Sequence, residues 1–394
     1  MNVNITLHKG VTEILERLER AGFEAYAVGG YVRDALLGKN AGDCDITTSA
    51  LPRETKQVFS DERTIDTGIK HGTVTLIYNG TPYEITTYRV DGEYTDKRHP
   101  DTVSFTASLE EDLARRDFTI NAMAYSQKRG LVDIYGGRED LERGIIRAVG
   151  NPERRFTEDA LRILRALRFA SVLDFEIDNS TRLAAFELKE RLVSVSVERV
   201  LVELRKLIGG RGAHRVLTDY GEIISDRLLG IDAIRLPEAS DFAKMTTDER
   251  MISLFYLSSS EPAAAFEASM RALHADRATE RFGTSVLRAM AADLCGDALF
   301  ELVLDEGTSV ALTALSLKAR IGGGADDLSR IKNLLSSGRP CKVSELKIDG
   351  KDITALGIVG EKVGVLLRSS VLAVMRGELE NDTDELLAYV KRIK

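Results

Sequence analysis

The chain has 394 residues, of which 43% are hydrophobic and 29% are charged, and its formal net charge at pH 7 is −8. This length is sufficient for roughly two to four domains with buried cores of their own. The apolar runs are too short to span a membrane, and the N-terminus lacks the basic and apolar segments of a secretory signal peptide. We therefore expect a cytoplasmic protein that has no membrane partner.

The cysteine and histidine content excludes several kinds of site. Cys44, Cys295 and Cys341 are widely spaced and offer neither a disulfide framework nor a Cys-x-x-Cys metal site. The five histidines form no His-Glu-x-x-His motif and no His-Asp doublet, which argues against a zinc hydrolase or a His-Asp phosphohydrolase. The negative net charge does not exclude a nucleic-acid partner, because a binding surface depends on where lysines and arginines cluster.

The first 150 residues alternate between helical and strand patterns. Apolar periodicity predicts helices at 11–22, 32–38 and 48–59. It also predicts strands at 23–28, across Asp43-Cys44-Asp45, at 73–78, at 83–88 and from 131 onward. The third and fourth of these strands are joined by Asn79-Gly80, a turn of the hairpin type.

Two short motifs in this part predict a site for a nucleoside triphosphate. Gly29-Gly30 ends the first strand, where backbone N–H groups without side chains around them can approach a phosphate closely. Asp43 and Asp45 alternate with Cys44, so both carboxylates point to one face of the strand and can hold Mg²⁺. An isolated Asp-x-Asp is more often a turn with two solvated aspartates, and the glycine pair upstream favours the metal site.

Two further features belong to the same region. Glu84, on the strand at 83–88, is explained equally well as a third metal ligand and as an ordinary edge-strand residue. The polar stretch 89–108 is longer than most connections, and we interpret it as a flap over the nucleotide site.

After Asn151-Pro152 the pattern is almost entirely helical. Glycine clusters at 209–212 and 322–324 mark further breaks. We therefore predict an α+β protein with a small mixed β-sheet in the N-terminal part and only helices afterwards. Its predicted domains are 1–150, 151–210, 211–322 and 323–394.

The predicted helix at 157–173 carries a second motif, with Thr157 as its N-cap and Asp159, Arg162 and Arg165 spaced three residues apart. One interpretation is a surface helix with ordinary ion pairs. The other follows from base chemistry: a carboxylate accepts from the amino group of cytosine or adenine, and an arginine donates to the ring nitrogen beside it. Uracil and guanine present the opposite pattern, so one Asp–Arg pair can accept C and A and reject U and G.

Four motifs, in this order, resemble those of the class II tRNA nucleotidyltransferases, the CCA-adding enzymes, which share a superfamily with bacterial poly(A) polymerases. They are Gly29-Gly30-Tyr31-Val32-Arg33-Asp34, Asp43-Cys44-Asp45, Arg115-Arg116-Asp117-Phe118-Thr119-Ile120-Asn121-Ala122 and Glu158-Asp159-x-x-Arg162-x-x-Arg165-x-x-Arg168-Phe169. Asp133-x-x-Gly136-Gly137 is similar to the hinge motif of the family, and Ser196-x-Glu198-Arg199 to the motif that braces the template helix. The resemblance covers about the first half of the chain.

The resemblance implies a nucleotidyltransferase head followed by a helical neck, body and tail. It implies that Asp43 and Asp45 are the catalytic residues and bind two Mg²⁺ ions. For the nucleotide it implies the following roles: Gly30 and Arg33 at the triphosphate, Arg116 at phosphate or ribose, Asp159 and Arg162 as the protein template for the base, and Arg165 and Arg168 in support of them.

The implied reaction is the addition of C, C and A to the 3′ end of tRNA from CTP and ATP. Poly(A) polymerase activity, partial addition of CC or of A alone, and an inactive RNA-binding relative are the alternatives. The segment 357–364 opens a tail helix that either contacts tRNA phosphates or only packs against its neighbours. The sequence allows a homodimer and does not decide the oligomeric state.

Overall fold

The structure is a computed structural model that describes residues 5–39, 42, 44–91, 103–294, 296–323 and 325–394. Asp43, Cys295 and residues 92–102 of the flap predicted at 89–108 lie outside these residues. The chain forms two compact units, Met1–Leu228 and Leu229–Lys394. The finer division into four domains stays a prediction.

The first unit contains all the strands that the structure describes. They are β1 Ala25–Val28, β2 Asp45–Thr48, β3 Arg63–Gly68, β4 Thr73–Tyr78, β5 Thr81–Thr87, β6 Arg89–Asp91, β7 Val103–Phe105, β8 Met123–Ser126, β9 Gly130–Asp133, β10 Ile145–Ile146 and β11 Glu176–Ile177. Seven of them form one sheet in the order β3-β4-β5-β2-β1-β8-β9. The β2–β5 pair is parallel and the other neighbours are antiparallel, so the predicted mixed sheet is confirmed.

The helices of this unit surround the sheet and continue beyond it. They are α1 Lys9–Arg20, α2 Gly30–Leu36, α3 Pro52–Val58, α4 Leu109–Ala114, α5 Gly137–Arg143, α6 Pro152–Glu158, α7 Leu161–Leu173, α8 Asn179–Glu187, α9 Val197–Gly209 and α10 Ala213–Ile224. In β1 every side chain is buried, because the strand lies near the centre of the sheet. The sequence pattern does not predict β3, since Ile65 is the one large apolar residue of that edge strand.

The prediction of one continuous helix from Thr157 is wrong. Asn151 caps an earlier helix, α6, with its side chain accepting from the N–H of Arg154, and Thr157 lies inside that helix. The backbone then becomes extended at Asp159, with φ −142° and ψ 105°. Its carboxylate accepts from the N–H of Leu161 at 3.0 Å, and this local hydrogen bond starts α7 as a separate helix.

The connection before α5 is held by one carboxylate and one close contact. Asp133 accepts from the N–H groups of Gly137 and Arg138 at 2.8 and 2.9 Å, which satisfies donors at the start of α5. A Cβ atom at Gly137 would lie 2.1 Å from the carbonyl oxygen of Thr119. Glycine at this position therefore allows α5 to lie against the backbone of 119–121.

Helices α6 and α7 are fastened directly to the sheet-containing part. Asp117, which follows α4, accepts from Arg165 Nε of α7 at 2.8 Å. The rings of Phe118 and Phe169 meet edge to face with their centroids 5.7 Å apart. Arg155 of α6 also donates to the carbonyl of Ala114 at 3.1 Å. These contacts place the start of α7 beside the segment 114–118.

The second unit is helical throughout its described residues. Its helices are α11 Ala239–Phe242, α12 Thr247–Ser258, α13 Pro262–Ala272, α14 Arg277–Ala291, α15 Ala298–Glu306, α16 Thr308–Ile321, α17 Ala325–Ser336, α18 Gly350–Ala355, α19 Glu361–Arg376 and α20 Thr383–Ile393. Two apolar clusters lie in this unit, one around Leu299, Leu315 and Ile331 and the other around Ile353 and Leu386. Within the described part of the chain, no helix has the length and hydropathy that a membrane crossing requires.

We expect Gly137→Ala to destabilise the protein by about 2 kcal/mol or more, because the new methyl group would overlap a backbone carbonyl that cannot move independently. Urea unfolding followed by circular dichroism measures the loss. Gly364→Ala is the matched control, since a Cβ there has no neighbour within 4 Å and alanine favours the helix. Equal stability of the two variants would contradict the close contact.

The ion pair of Asp117 predicts a specific dependence of stability on pH. Burial disfavours the charged carboxylate, but the nearby Arg165 and the hydrogen bond from Asn121 outweigh burial and lower the pKa of Asp117 to about 2. The pKa of an unfolded aspartate is about 3.9, so the stabilisation is complete above that value and is lost as the pH falls toward 2. Between about pH 6 and pH 3 the wild type should lose about 1 kcal/mol more unfolding free energy than Asp117→Asn. Parallel pH profiles from urea unfolding would contradict this assignment.

Candidate active site

The turn between β1 and α2 brings backbone and guanidinium groups close together. Gly29 has φ 70° and ψ −133°, a conformation that residues with a side chain rarely adopt. A Cβ there would lie 3.1 Å from Nη1 of Arg116, and one at Gly30 would lie 3.5 Å from Nη2 of Arg33. The absence of side chains thus lets two arginines lie against this turn.

Arg33 is fixed on several sides. Its Nη1 donates to Oδ1 of Asn121 at 2.7 Å, and its Nε donates to Asp34 at 2.9 Å. Its guanidinium carbon lies 5.2 Å from the centre of the Phe169 ring. Arg33 therefore joins α2 to the segment 119–121 and to α7.

Arg116 is a largely buried cation of this group, with 17% of its side chain exposed. Burial lowers the pKa of its guanidinium, while the charge of Asp112 opposes that shift. The pair lies 3.5 Å apart, from Nη2 to Oδ2. Nε of Arg116 is buried and has no hydrogen-bond partner in the described part of the structure. An unsatisfied buried donor of this kind is suited to an anionic ligand.

Asp45 and Glu84 occupy neighbouring positions on adjacent strands. Asp45 is the first residue of β2, and the parallel register pairs it with Glu84 of β5. Both residues are exposed, and residues paired in this way project from the same face of a sheet. Among residues that the structure describes, no group of three or more metal-ligating side chains is found. Hard carboxylate oxygens exposed at the start of β2 and on β5 are the donor type that Mg²⁺ requires, so the residues present fit that ion.

Three arginines surround the ring of Phe169. The guanidinium carbons of Arg33, Arg165 and Arg168 lie 5.2, 5.4 and 3.9 Å from its centre. Glu203 of α9 is buried beneath them and pairs with Arg165 at 3.6 Å and with Arg168 at 2.9 Å. Burial lowers the pKa of Arg168, and Glu203 counteracts this effect.

The predicted base-selecting pair is held rigidly at the start of α7. Asp159 accepts from Arg199 of α9 at 2.8 Å, which agrees with the bracing role that the sequence resemblance implies for the motif at 196–199. The guanidinium of Arg162 is buried and donates to Glu158 at 2.8 Å and to the carbonyls of Arg155 and Arg115 at 3.2 and 3.0 Å. Both side chains are therefore fixed before any ligand is bound.

Most of the predicted site residues lie in one connected region of the first unit. Gly30 contacts Arg33, which shares the Phe169 ring with Arg165 and Arg168, and Arg116 lies against the neighbouring Gly29. The template pair lies at the start of α7, with Asp159 just before the helix and Arg162 in its first turn. Asp43 lies outside the described residues, so its position beside Asp45 stays a prediction.

Three acids and one amide in this region had no role in the sequence-based prediction: Asp112, Asp117, Glu203 and Asn121. Asp117 and Asn121 stand in the same motif as Arg116, and that spacing was a usable signal. Asp112 follows Leu109 by three residues and directly precedes Leu113, and both leucines are buried. This spacing places Asp112 on the buried face of the helix. For Glu203 the signal was its position among the buried residues Val200, Leu204 and Leu207 of α9.

Comparison with known proteins yields two family matches. Residues 25–147 match the model described as the poly A polymerase head domain, and residues 174–220 match the one described as a probable RNA and SrmB-binding site of polymerase A. These matches cover the strands of the first unit and the helices α8, α9 and most of α10.

Similar proteins extend over nearly the whole chain. A CCA-adding enzyme from Ligilactobacillus salivarius is 38% identical, with 98% of this chain and 96% of that protein covered. One from Geobacillus stearothermophilus is 36% identical, with 96% and 95% covered.

Solved structures agree with these relatives. The CCA-adding enzyme of Bacillus stearothermophilus in complex with CTP superposes with a TM-score of 0.79 at 33% identity, covering 98% of this chain and 96% of that one. The Thermotoga maritima CCA-adding enzyme complexed with tRNA has a TM-score of 0.72 at 20% identity, which supports the fold. The resemblance noted in the sequence is confirmed, and the chain belongs to the family of CCA-adding enzymes.

Proposed function

We propose that this protein adds C, C and A to the 3′ end of tRNA from CTP and ATP and releases pyrophosphate. The observation that carries the proposal is the fixed pair Asp159 and Arg162: Asp159 lies just before α7, and Arg162 lies on α7 together with Arg165 and Arg168. Relatives that are similar over nearly the whole chain are CCA-adding enzymes, and one of them is solved in complex with CTP.

The base would be selected by hydrogen bonds to the protein alone. The carboxylate of Asp159 accepts from the amino group of cytosine or adenine, and Arg162 donates to the adjacent ring nitrogen. Uracil and guanine would place a carbonyl against the carboxylate and an N–H against the guanidinium. A buried polar group without a partner costs enough to reject both bases without a nucleic-acid template.

The triphosphate would lie against the Gly29-Gly30 turn. Arg33 and Arg116 provide positive charge there, and the buried Nε of Arg116 offers a donor that has no other partner among the described residues. Arg165 and Arg168 add charge from α7, while their contact with Glu203 keeps them in place. These residues would orient the α-phosphate toward the 3′-hydroxyl of the tRNA.

We infer that Asp43 and Asp45 hold Mg²⁺, with Glu84 adjacent to Asp45 on the next strand. When bound, this ion supplies charge neutralisation at the transferring phosphoryl group and lowers the pKa of the 3′-hydroxyl. The carboxylates themselves would fix the position of that charge at the start of β2. We also retain the division of the chain into head, neck, body and tail, with the tail as a candidate tRNA contact.

We expect Asp45→Asn to lower the rate of CMP incorporation into tRNA by about a hundredfold or more, because one charged ligand of the metal is lost. Binding of tRNA should remain within about twofold of wild type, since phosphate contacts that hold an RNA come from cationic and N–H donors and not from a carboxylate. Asp66→Asn, an exposed acid on β3 that pairs with Lys56, is the matched control and should retain activity. Normal turnover by Asp45→Asn would disprove the metal assignment.

We expect Asp159→Ala and Arg162→Ala to reduce the preference for CTP over UTP by roughly tenfold to a hundredfold, because each removes one of the discriminating hydrogen bonds. The ratio of kcat/KM for the two nucleotides measures this preference. Glu153→Ala, an exposed acid on α6, should leave the ratio unchanged. If both variants still reject UTP at wild-type activity, the template role is refuted.

A further inference from the structure

Asp112 of α4 is a fully buried carboxylate to which the proposed reaction assigns no role. Its exposed fraction is 0%, and donors surround both oxygens. Oδ1 accepts from Nε and Nη2 of Arg115 at 3.0 and 2.9 Å and from the backbone N–H of Arg89 at 3.4 Å. Oδ2 accepts from the hydroxyl of Thr47 at 3.1 Å and lies 3.5 Å from Arg116. A carboxylate with this many donors stays charged despite its burial, and its pKa is lowered accordingly.

The ion pair with Arg116 places this charge next to the candidate nucleotide site. Arg116 lies against Gly29, and its side chain is largely buried, with 17% of it exposed. A buried cation is stable only where a counter-charge holds it. Asp112 is the carboxylate that the structure pairs with this guanidinium, within the residues it describes.

The same carboxylate connects Arg116 to the strand that carries the candidate metal ligand. Thr47, which donates to Asp112, is two residues after Asp45 on β2. Arg89, whose N–H also donates, begins β6. Asp112 therefore sets the position of Arg116 relative to both the Gly29-Gly30 turn and β2.

We propose that Asp112 is a positioning residue that acts on the incoming nucleotide through Arg116. It holds the guanidinium beside Gly29, in the orientation in which Nε and the terminal nitrogens face the phosphates. The inference rests on the proposed function, because it requires that Arg116 contact the nucleotide. The competing explanation is that Asp112 only stabilises the fold.

A double-mutant cycle separates these two explanations. CTP binding is measured by calorimetry for the wild-type protein, Asp112→Asn, Arg116→Ala and the double variant. If Asp112 acts through Arg116, Asp112→Asn weakens CTP binding by roughly tenfold or more in the wild type and by less than about twofold in the Arg116→Ala background. An equal loss in both backgrounds, or no loss in the wild type, overturns the proposal.

The Arg116→Ala variant also distinguishes this proposal from the proposed function. If Arg116→Ala alone leaves CTP binding unchanged, the assignment of Arg116 to the nucleotide is wrong and the inference about Asp112 falls with it. If Arg116→Ala weakens CTP binding while Asp112→Asn has no effect, Arg116 keeps its role and only the inference about Asp112 fails.

Two further variants control for misfolding. Asp140→Asn removes another buried carboxylate of the same unit, one that pairs with Arg147 and Thr119 instead. It should lower stability without changing CTP affinity. Thr47→Val removes one hydrogen bond to Asp112 and leaves the charge of the Asp112 carboxylate in place. It replaces Asp112→Asn in the double-mutant cycle if that variant does not fold. It should weaken CTP binding in the wild type and have no effect in the Arg116→Ala background; equal effects in both would overturn the proposal.

Discussion

Positive charges that repel one another lie close together in this site, and buried carboxylates make that arrangement stable. Arg33, Arg165 and Arg168 share one aromatic ring, and Arg116 lies against the turn that Arg33 also contacts. Without counter-charges, such a group would be strongly destabilised at low dielectric. Asp112, Asp117 and Glu203 each pair with one or two of these cations, and all three are largely withdrawn from water.

This arrangement explains how one surface can be both stable and ready for a polyanion. The carboxylates approach the guanidinium groups from within the protein and leave other donors without partners, as at Nε of Arg116.

The same ion pairs also join separate segments, since Asp117 connects the segment after α4 with α7 and Glu203 connects α9 with α7. The ion pairs that neutralise the arginines are thus the same ones that hold these helices in place.

The sequence predicted the sheet and the site motifs because their signals are local. Alternating apolar residues mark β4 and β5, and the turn between them has positive φ at Asn79 and Gly80, as Asn-Gly hairpin turns require. The Gly29-Gly30 pair and the motifs that contain Arg33 and Arg116 are recognisable from their residue types alone. Periodicity failed at Asp159, where a side chain that accepts from Leu161 interrupts an otherwise continuous helical pattern.

The ion pairs between residues far apart in the chain could not be predicted from the sequence, for a physical reason. Arg165 and Asp117 are 48 residues apart in sequence, and Arg199 and Asp159 are 40 apart. Only the folded chain therefore shows which aspartate pairs with which arginine. The acids at 110–112 look like a solvated first turn of a helix. The spacing of Asp112 from Leu109 indicates an inward face, but only the folded chain shows that Thr47, Arg115 and Arg116 surround its carboxylate. Family resemblance supplied the roles of the arginines but not the carboxylates that hold them.

We propose that a fixed Asp–Arg pair restricts this enzyme to C and A and yields a defined terminus. The most direct measurement is incorporation with purified protein, Mg²⁺, all four nucleoside triphosphates and tRNA lacking its last three nucleotides, read at single-nucleotide resolution. We expect a product three nucleotides longer that ends in CCA, with no incorporation of U or G. A long A tail, growth that stops after CC, growth only from a CC end, or no incorporation would contradict it.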